Sequence, residues 1–226
     1  MRNFSYIDLL AKYGIDGAHP GGLQLTRKIL ELEKVSENTA LLDMGCGTGE
    51  TSAYIAKSFG CEITAADINP AMLQRASQRF MGENLHIRLV KADAVNLPFR
   101  ADSFDVVLAE SVTVFTHIAG ALKEYARVLK PGGILIDIEL TAERRLAPFE
   151  LRDVRAVLGT GQVPVQGEWC KMLRDAGFSG IGVSKGSANP PMVFFHPQMY
   201  IDFLPYILLM GKYGRTLGHR IYRCKK

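Results

Sequence analysis

Alternating strand-like and helix-like segments predict an α/β chain built on a mostly parallel sheet, and three observations carry that expectation. Residues 41–50, LLDMGCGTGE, form an apolar run that ends in Asp43 and breaks into Gly45, Gly47 and Gly49, spaced two apart. Residues 61–68, CEITAADI, repeat the apolar run and end in Asp67. Residues 121–133 read as an amphipathic helix with Leu122, Tyr125, Ala126 and Leu129 on one face. Pro131 and two glycines stop that helix before a further apolar run over 134–140.

The remaining elements follow in chain order. Tyr6, Ile7, Leu10 and Ala11 recur at helical spacing, and a second helix is predicted over 23–33. The strand over 41–44 feeds a glycine loop and then a helix over 50–59. After the second strand, Asn69-Pro70 turns into a helix over 71–80, and a third strand spans 85–92. LPFRADSFDVVLAESV, residues 97–112, contains the fourth strand, and 134–140 is the fifth. A helix over 168–176, a strand near 181–186, a kinked helix over 199–213 and an antiparallel strand over 218–224 complete the expectation.

The glycine loop decides the ligand. Glycine is needed where the backbone takes positive φ or where a ligand approaches with no Cβ in the way. The helix that follows points its N-terminal N–H groups at the loop and favours a carboxylate or phosphate there. A dinucleotide loop, G-x-G-x-x-G, would put glycine at position 50, which is Glu. A P-loop would need Lys after its last glycine, and none follows Gly49.

Asp43 before these glycines, Asp67 eighteen residues after Gly49, Asp93-Ala94 after the third strand and the segment 97–112 occur in one continuous order. Over residues 38–140 this order resembles the class I S-adenosylmethionine-dependent methyltransferases of the small-molecule type, similar to those of ubiquinone and menaquinone biosynthesis. The resemblance implies a Rossmann-like, doubly wound, seven-stranded sheet, mostly parallel with the last strand antiparallel, with helices on both faces and lid insertions. It implies S-adenosylmethionine as cofactor and S-adenosylhomocysteine as product; no metal is expected, because metal-dependent transfer would need an acidic cluster that the sequence does not assemble. Asp43, Gly45, Cys46, Gly47 and Gly49 would then form the cofactor loop, and Asp67 would accept hydrogen bonds from the ribose hydroxyls. Ile68, Met72, Asp93 and Ala94 would surround the adenine, and Glu110 would lie near the reactive methyl.

Composition sets no obstacle. With 226 residues, 47% of them apolar, the chain is long enough for one domain with a substantial core. The formal charge is +4, but residues 212–226 carry six Lys or Arg and no acid, so the remainder is net negative. A solvated basic tail is expected rather than a nucleic-acid-binding domain. Four cysteines, at 46, 61, 170 and 224, show no C-x-x-C spacing, which suits reduced thiols in the cytoplasm. The N-terminal apolar stretch holds Asp8 and Lys12, and no run approaches eighteen uncharged apolar residues, so neither export nor a membrane span is expected. Asn189-Pro190-Pro191-Met192 resembles the signature of methyltransferases acting on planar amino groups, but that signature belongs after strand four and continues with an aromatic residue. It reads here as a turn, which argues against DNA as substrate.

Substrate choice is expected outside the core. Residues 1–36 are read as lid helices, and 141–167 and 187–213 as insertions covering a small-molecule acceptor. Tyr6, Tyr13, His19, Met199 and Tyr206 are the candidate acceptor contacts. Glu110, His19 and His117 are the candidate catalytic groups, needed as a base if the acceptor arrives protonated. Arg144 and Arg145 read either as an acidic-substrate site or as a solvated helix face. Helix 199–213 reads either as a roof over the site or as a homodimer contact. Aminopropyl transfer on the same fold and cofactor binding without turnover are the alternative functions.

Overall fold

The computed structural model describes residues 5–186 and 196–226. Asn189-Pro190-Pro191-Met192 therefore lies outside the described residues, as does part of the segment expected over 187–213.

The chain begins with helices α1 (Tyr6–Tyr13) and α2 (Gly22–Glu31) and enters the sheet at β1 (Ala40–Met44). Helix α3 (Glu50–Phe59), β2 (Glu62–Asp67), α4 (Pro70–Gly82) and β3 (Arg88–Lys91) complete the first half. The second half holds β4 (Phe104–Glu110), α5 (Ile118–Val128) and β5 (Leu129–Ala142). It continues with α6 (Pro148–Leu158), α7 (Gln166–Asp175), β6 (Ser179–Lys185), α8 (Pro197–Tyr213) and β7 (Leu217–Lys225). The strand order is β3-β2-β1-β4-β5-β7-β6. Strands β1 to β5 run parallel to their neighbours, and β7 is antiparallel to both β5 and β6. This is the Rossmann-like seven-stranded sheet with the last strand reversed.

The central strands β1, β2 and β4 are buried on both faces, so they read as near-continuous apolar runs rather than alternating ones. Leu41, Ile63, Val106 and Leu108 pack with Leu30 of α2 and Ile55 of α3. Leu42, Met44 and Val107 face the other way and pack with Leu122 and Tyr125 of α5 and Trp169 of α7. The strand order reverses between β1 and β4, so the connections leaving their carboxyl ends diverge to opposite faces and open a crevice. Local signals set the helix ends around it. Asn69 caps α4 by accepting from the Ala71 N–H at 2.9 Å, with Pro70 in the first turn.

One helix boundary differs from expectation. Helix α5 ends at Val128, five residues short of Gly133, and Leu129 already belongs to β5, where it pairs with Phe104. Pro131 disfavours helical φ and ψ at Lys130, and Gly132 takes φ +78°. The apolar spacing of Leu129 is that of a strand residue buried against the same face.

Candidate functional site

The crevice is a cavity of about 580 Å³. Its first wall comes from the carboxyl ends of β1 to β3. Leaving β1, the backbone N–H groups of Gly45 and Cys46 both donate to Ala66 O of β2, at 2.7 and 3.0 Å, which bends the loop across the strand end. Gly47, at φ +54°, has open space where a Cβ would stand and lines the cavity. Gly49 does not line it: a Cβ there would sit 2.7 Å from the Phe80 ring, so this glycine lets α3 start against α4.

Asp67 ends β2 with its carboxylate fixed by two backbone donors, Gly47 N–H to Oδ2 at 3.0 Å and Asn69 N–H to Oδ1 at 2.8 Å. Each oxygen keeps a lone pair for a further donor. Burial raises the Asp67 pKa above the ordinary carboxylate value. Ile68, Asn69, Met72, Asp93 and Ala94 line the same wall, and Asp93 Oδ1 accepts from the Val95 N–H at 3.0 Å.

Between the walls lie Asp43 and Glu110, at the ends of neighbouring strands β1 and β4. Asp43 is buried and accepts from Ser52 Oγ at 2.5 Å. Burial, and next the charge of Glu110, push its pKa up to about 7. Glu110 accepts from Thr26 Oγ1 at 2.5 Å and Thr51 Oγ1 at 2.9 Å, and His19 Nε2 stands 3.5 Å from its Oε2. Among the described residues lining the cavity there are five carboxylates, those of Asp43, Glu50, Asp67, Asp93 and Glu110, and no Lys or Arg. Asp43, Asp67 and the Glu110 side chain are buried, whereas Glu50 is half-buried and Asp93 exposed, and burying such acids is costly unless a cation joins them. A sulfonium nucleoside carrying an amino group fits that demand, with Gly47 as the open cradle and Asp67 as the hydroxyl acceptor.

The second wall is apolar and comes from the connections. Tyr6, Ile7 and Leu10 of α1, Leu158 at the end of α6 and Tyr206 and Met210 of α8 meet across the opening. The Tyr6 and Tyr206 rings stack with centroids 4.6 Å apart and planes 20° apart. The floor is the turn after β4, Val112, Val114, Phe115 and Thr116. Glu139 holds this turn from β5: its Oε1 accepts from the Val112 and Thr113 N–H groups at 2.8 and 2.7 Å, and its Oε2 from the Val114 N–H at 3.2 Å. Asp137 Oδ1 accepts from Thr113 Oγ1 at 2.9 Å. Burial raises both acids, Glu139 to about 7, and the charge of Glu139 raises Asp137 further.

Several expected site residues stand elsewhere. Tyr13 and Met199 do not line the cavity. Tyr13 donates its hydroxyl proton to Asp202 Oδ2 at 2.6 Å, and Met199 is buried with Leu9, Leu10, Met72 and Phe203. They tie α1 to α8 behind the wall that Tyr6 and Tyr206 present. His117 does line the cavity, but its Nδ1 accepts from the Gly120 N–H at 3.1 Å as the cap of α5. Arg144 pairs with Glu150 through two hydrogen bonds of 2.7 and 2.8 Å, and Arg145 with Glu168, both away from the cavity. The basic segment 212–226 is not a solvated tail. Arg220 pairs with Glu143, Arg223 with Glu33, Lys212 with Asp153 and Lys226 with Asp102. The sequence reading missed Thr26, Thr51 and Ser52, whose hydroxyls hold the two central carboxylates, and Val112, Phe115, Met210 and His219, which line the cavity. A hydroxyl in the first turn of α3, just after a glycine loop, was the available signal for Thr51 and Ser52.

Comparison with known proteins agrees with this geometry. A family described as a methyltransferase domain matches residues 42–137. An uncharacterized methyltransferase of Bacillus subtilis (strain 168), YodH, is 35% identical over 96% of this chain and 97% of its own length. The chain therefore belongs to the S-adenosylmethionine-dependent methyltransferases, of the class I small-molecule kind. The ubiquinone/menaquinone biosynthesis C-methyltransferase UbiE of Ectopseudomonas mendocina (strain ymp) is 36% identical over 58% of this chain and 54% of its own. In fold, the chain is similar to a Haemonchus contortus phosphoethanolamine N-methyltransferase 2 solved in complex with S-adenosyl-L-methionine. That likeness has TM-score 0.77 and 18% identity, over 100% of this chain and 58% of the other. S-adenosylmethionine is thus the cofactor of an enzyme whose sheet, loop and acidic strand ends have just been described. Among the described residues no helix is long and apolar enough to cross a membrane.

Proposed function

We propose that this enzyme passes the methyl group of S-adenosylmethionine in line to a small-molecule acceptor held on the apolar wall, acting as one domain in the cytoplasm and without DNA as substrate. The observation that carries this is the contrast between the walls of one cavity: acidic and hydrogen-bonding along β1 to β3, apolar and aromatic under α1 and α8. The bound sulfonium supplies an already activated methyl group and a neutral leaving group. The protein's task is then to hold the acceptor collinear with the methyl–sulfur bond and to keep water out. Asp67 binds the ribose hydroxyls, Asp93 and Ile68 flank the adenine, and Asp43 and Glu110 face the cationic end of the cofactor. Tyr6 and Tyr206 close over the acceptor.

The test is a paired measurement. Tyr6→Ala with Tyr206→Ala should lower methyl transfer into a metabolite extract by about tenfold or more, the order expected when positioning fails, while S-adenosylmethionine affinity by calorimetry changes little. If cofactor affinity falls as far as turnover, the aromatic pair is scaffold and the acceptor binds elsewhere. A second reading of α8 rests on its outer face, where Ile201 and Leu208 are 59% and 63% exposed: that face is a homodimer contact. Sedimentation of Leu208→Glu beside the wild type distinguishes it.

A further inference from the structure

We propose that the acceptor is an apolar molecule bearing an un-ionised hydroxyl, that His19 Nδ1 takes its proton during transfer, and that Glu110 is the positioning residue behind His19. This rests on the reading of the apolar wall as the acceptor site.

The argument begins with the hydroxyl of Thr26. Its proton is committed to Glu110 Oε1, at 2.5 Å, so toward His19 the Thr26 oxygen can only accept. His19 Nε2 lies 3.5 Å from that oxygen and 3.5 Å from Glu110 Oε2, and both are acceptors. Nε2 therefore carries the proton of the neutral ring, and Nδ1 carries the lone pair. Nδ1 is buried and has no hydrogen-bond partner among the described residues, although the ring itself lines the cavity. A buried unpartnered acceptor is expensive, and a donor arriving with the substrate would satisfy it.

The surroundings select what that donor is. The acceptor side is built from Tyr6, Leu10, Val112, Phe115, Leu158 and Met210, and no Lys or Arg among the described lining residues is there to hold an anion. An anionic acceptor would bind weakly against that wall and five carboxylates, so a hydroxyl acceptor binds chiefly un-ionised and loses its proton as the bond forms. The other ionisable groups of this side are poor bases. Burial, and next Arg220, push His219 down to about 4. His117 Nδ1 is committed to the helix cap, and burial pushes the Tyr6 phenol up. The charged groups facing His19 are Glu110 of β4 and Glu50 of α3, the latter also near Arg27 of α2.

The step balances within the site. The acceptor O–H bond breaks and its proton goes to Nδ1, while the oxygen forms a bond to the methyl carbon. The methyl–sulfur bond breaks with its electron pair remaining on sulfur, and the imidazolium returns its proton to water after product release.

Two measurements test this. In the protein labelled with ¹⁵N-histidine, the His19 ring should be the Nε2–H tautomer at neutral pH, and a ring protonated at Nδ1 instead would overturn the proposal. The second measurement uses two aromatic probe acceptors, 1-naphthol, un-ionised at neutral pH, and 4-nitrophenol at a pH where it is largely the phenolate, the latter at a concentration high enough to offset the weak binding of an anion. His19→Asn should lower transfer to naphthol by about a hundredfold or more, the usual share of general base catalysis, and transfer to the nitrophenolate far less. Glu110→Gln keeps an acceptor for Nε2–H but removes the charge. It should lower naphthol transfer by about tenfold and move the acid limb of the kcat/KM profile to lower pH, with Glu110→Asp restoring part of the loss. Equal losses on both probes, or an unmoved limb, mean that His19 and Glu110 act only through packing. A wild type that binds S-adenosylmethionine yet methylates neither probe counts against the acceptor-site reading, and the tautomer then decides the role of His19 by itself.

Discussion

Two groups of buried carboxylates lie one strand apart in this molecule and are satisfied in opposite ways. Asp137 and Glu139 of β5 are fully enclosed, and Glu139 meets three backbone N–H groups of the turn it holds. Asp43 and Glu110, at the ends of β1 and β4, meet chiefly side-chain hydroxyls and His19, and they face the cavity. Glu139 completes its interactions inside the protein and works as a clamp on the cavity floor, while Asp137 keeps Oδ2 without a hydrogen-bond partner among the described residues. The second pair leaves negative charge uncompensated until a cation enters. Burial of an acid is thus not by itself a sign of a ligand site; what matters is whether the chain supplies the donors.

The comparison breaks most readily at Glu139. Glu139→Leu strands three buried N–H groups and should reduce folding stability by roughly 3 kcal/mol or more, measured by urea unfolding, whereas Asp43→Asn should be neutral or stabilising. Equal losses would erase the distinction. Next comes Asp67→Ala, expected to weaken S-adenosylmethionine binding by about thirty- to a hundredfold, roughly 2 to 3 kcal/mol, with the fold intact by circular dichroism. Affinity equal to wild type in calorimetry would place the ribose away from Asp67.

A smaller effect concerns pH. Asp43 and Glu139 both have folded pKa values raised to about 7, so between about pH 4 and 7 the native state holds protons that the unfolded chain has released. Stability of the cofactor-free enzyme should therefore fall as pH rises through that window. Over the upper part of it, from pH 6 to 7, affinity for the cationic cofactor should rise several-fold as Asp43 ionises. Asp43→Asn should flatten the affinity profile but remove only part of the stability slope. An affinity profile unchanged by that substitution would assign the proton to another group.

Much of the cofactor half was legible because its chemistry is local. A strand, an acid and a glycine turn occur within ten residues at Asp43, and Asp67 ends the next strand in the same fashion. Local pattern failed where a neighbour in space decides. Gly49 shares the spacing and the positive φ of Gly45 and Gly47, yet it packs against the Phe80 ring instead of lining the cavity. Tyr6 and Tyr13 both lie on α1, seven residues apart, but Asp202 draws the Tyr13 hydroxyl away from the cavity. The partners of Glu110 come from α2 and α3, 84 and 59 residues away in sequence, and no spacing rule connects them. The basic run near the end of the sequence read as solvent-facing because its acids, Glu33, Asp102, Glu143 and Asp153, are scattered through the chain.

The position of β7 bears on how the molecule is made. Among the described residues strand β6 hydrogen-bonds to no strand except β7, and β7 lies between it and β5. During synthesis from the N-terminus, β1 to β5 can pair as they emerge from the ribosome, while β6 must wait for some thirty further residues before β7, the strand it pairs with, is translated. Until then the nascent protein exposes the open edge of β5, which the nine residues of β7 cover.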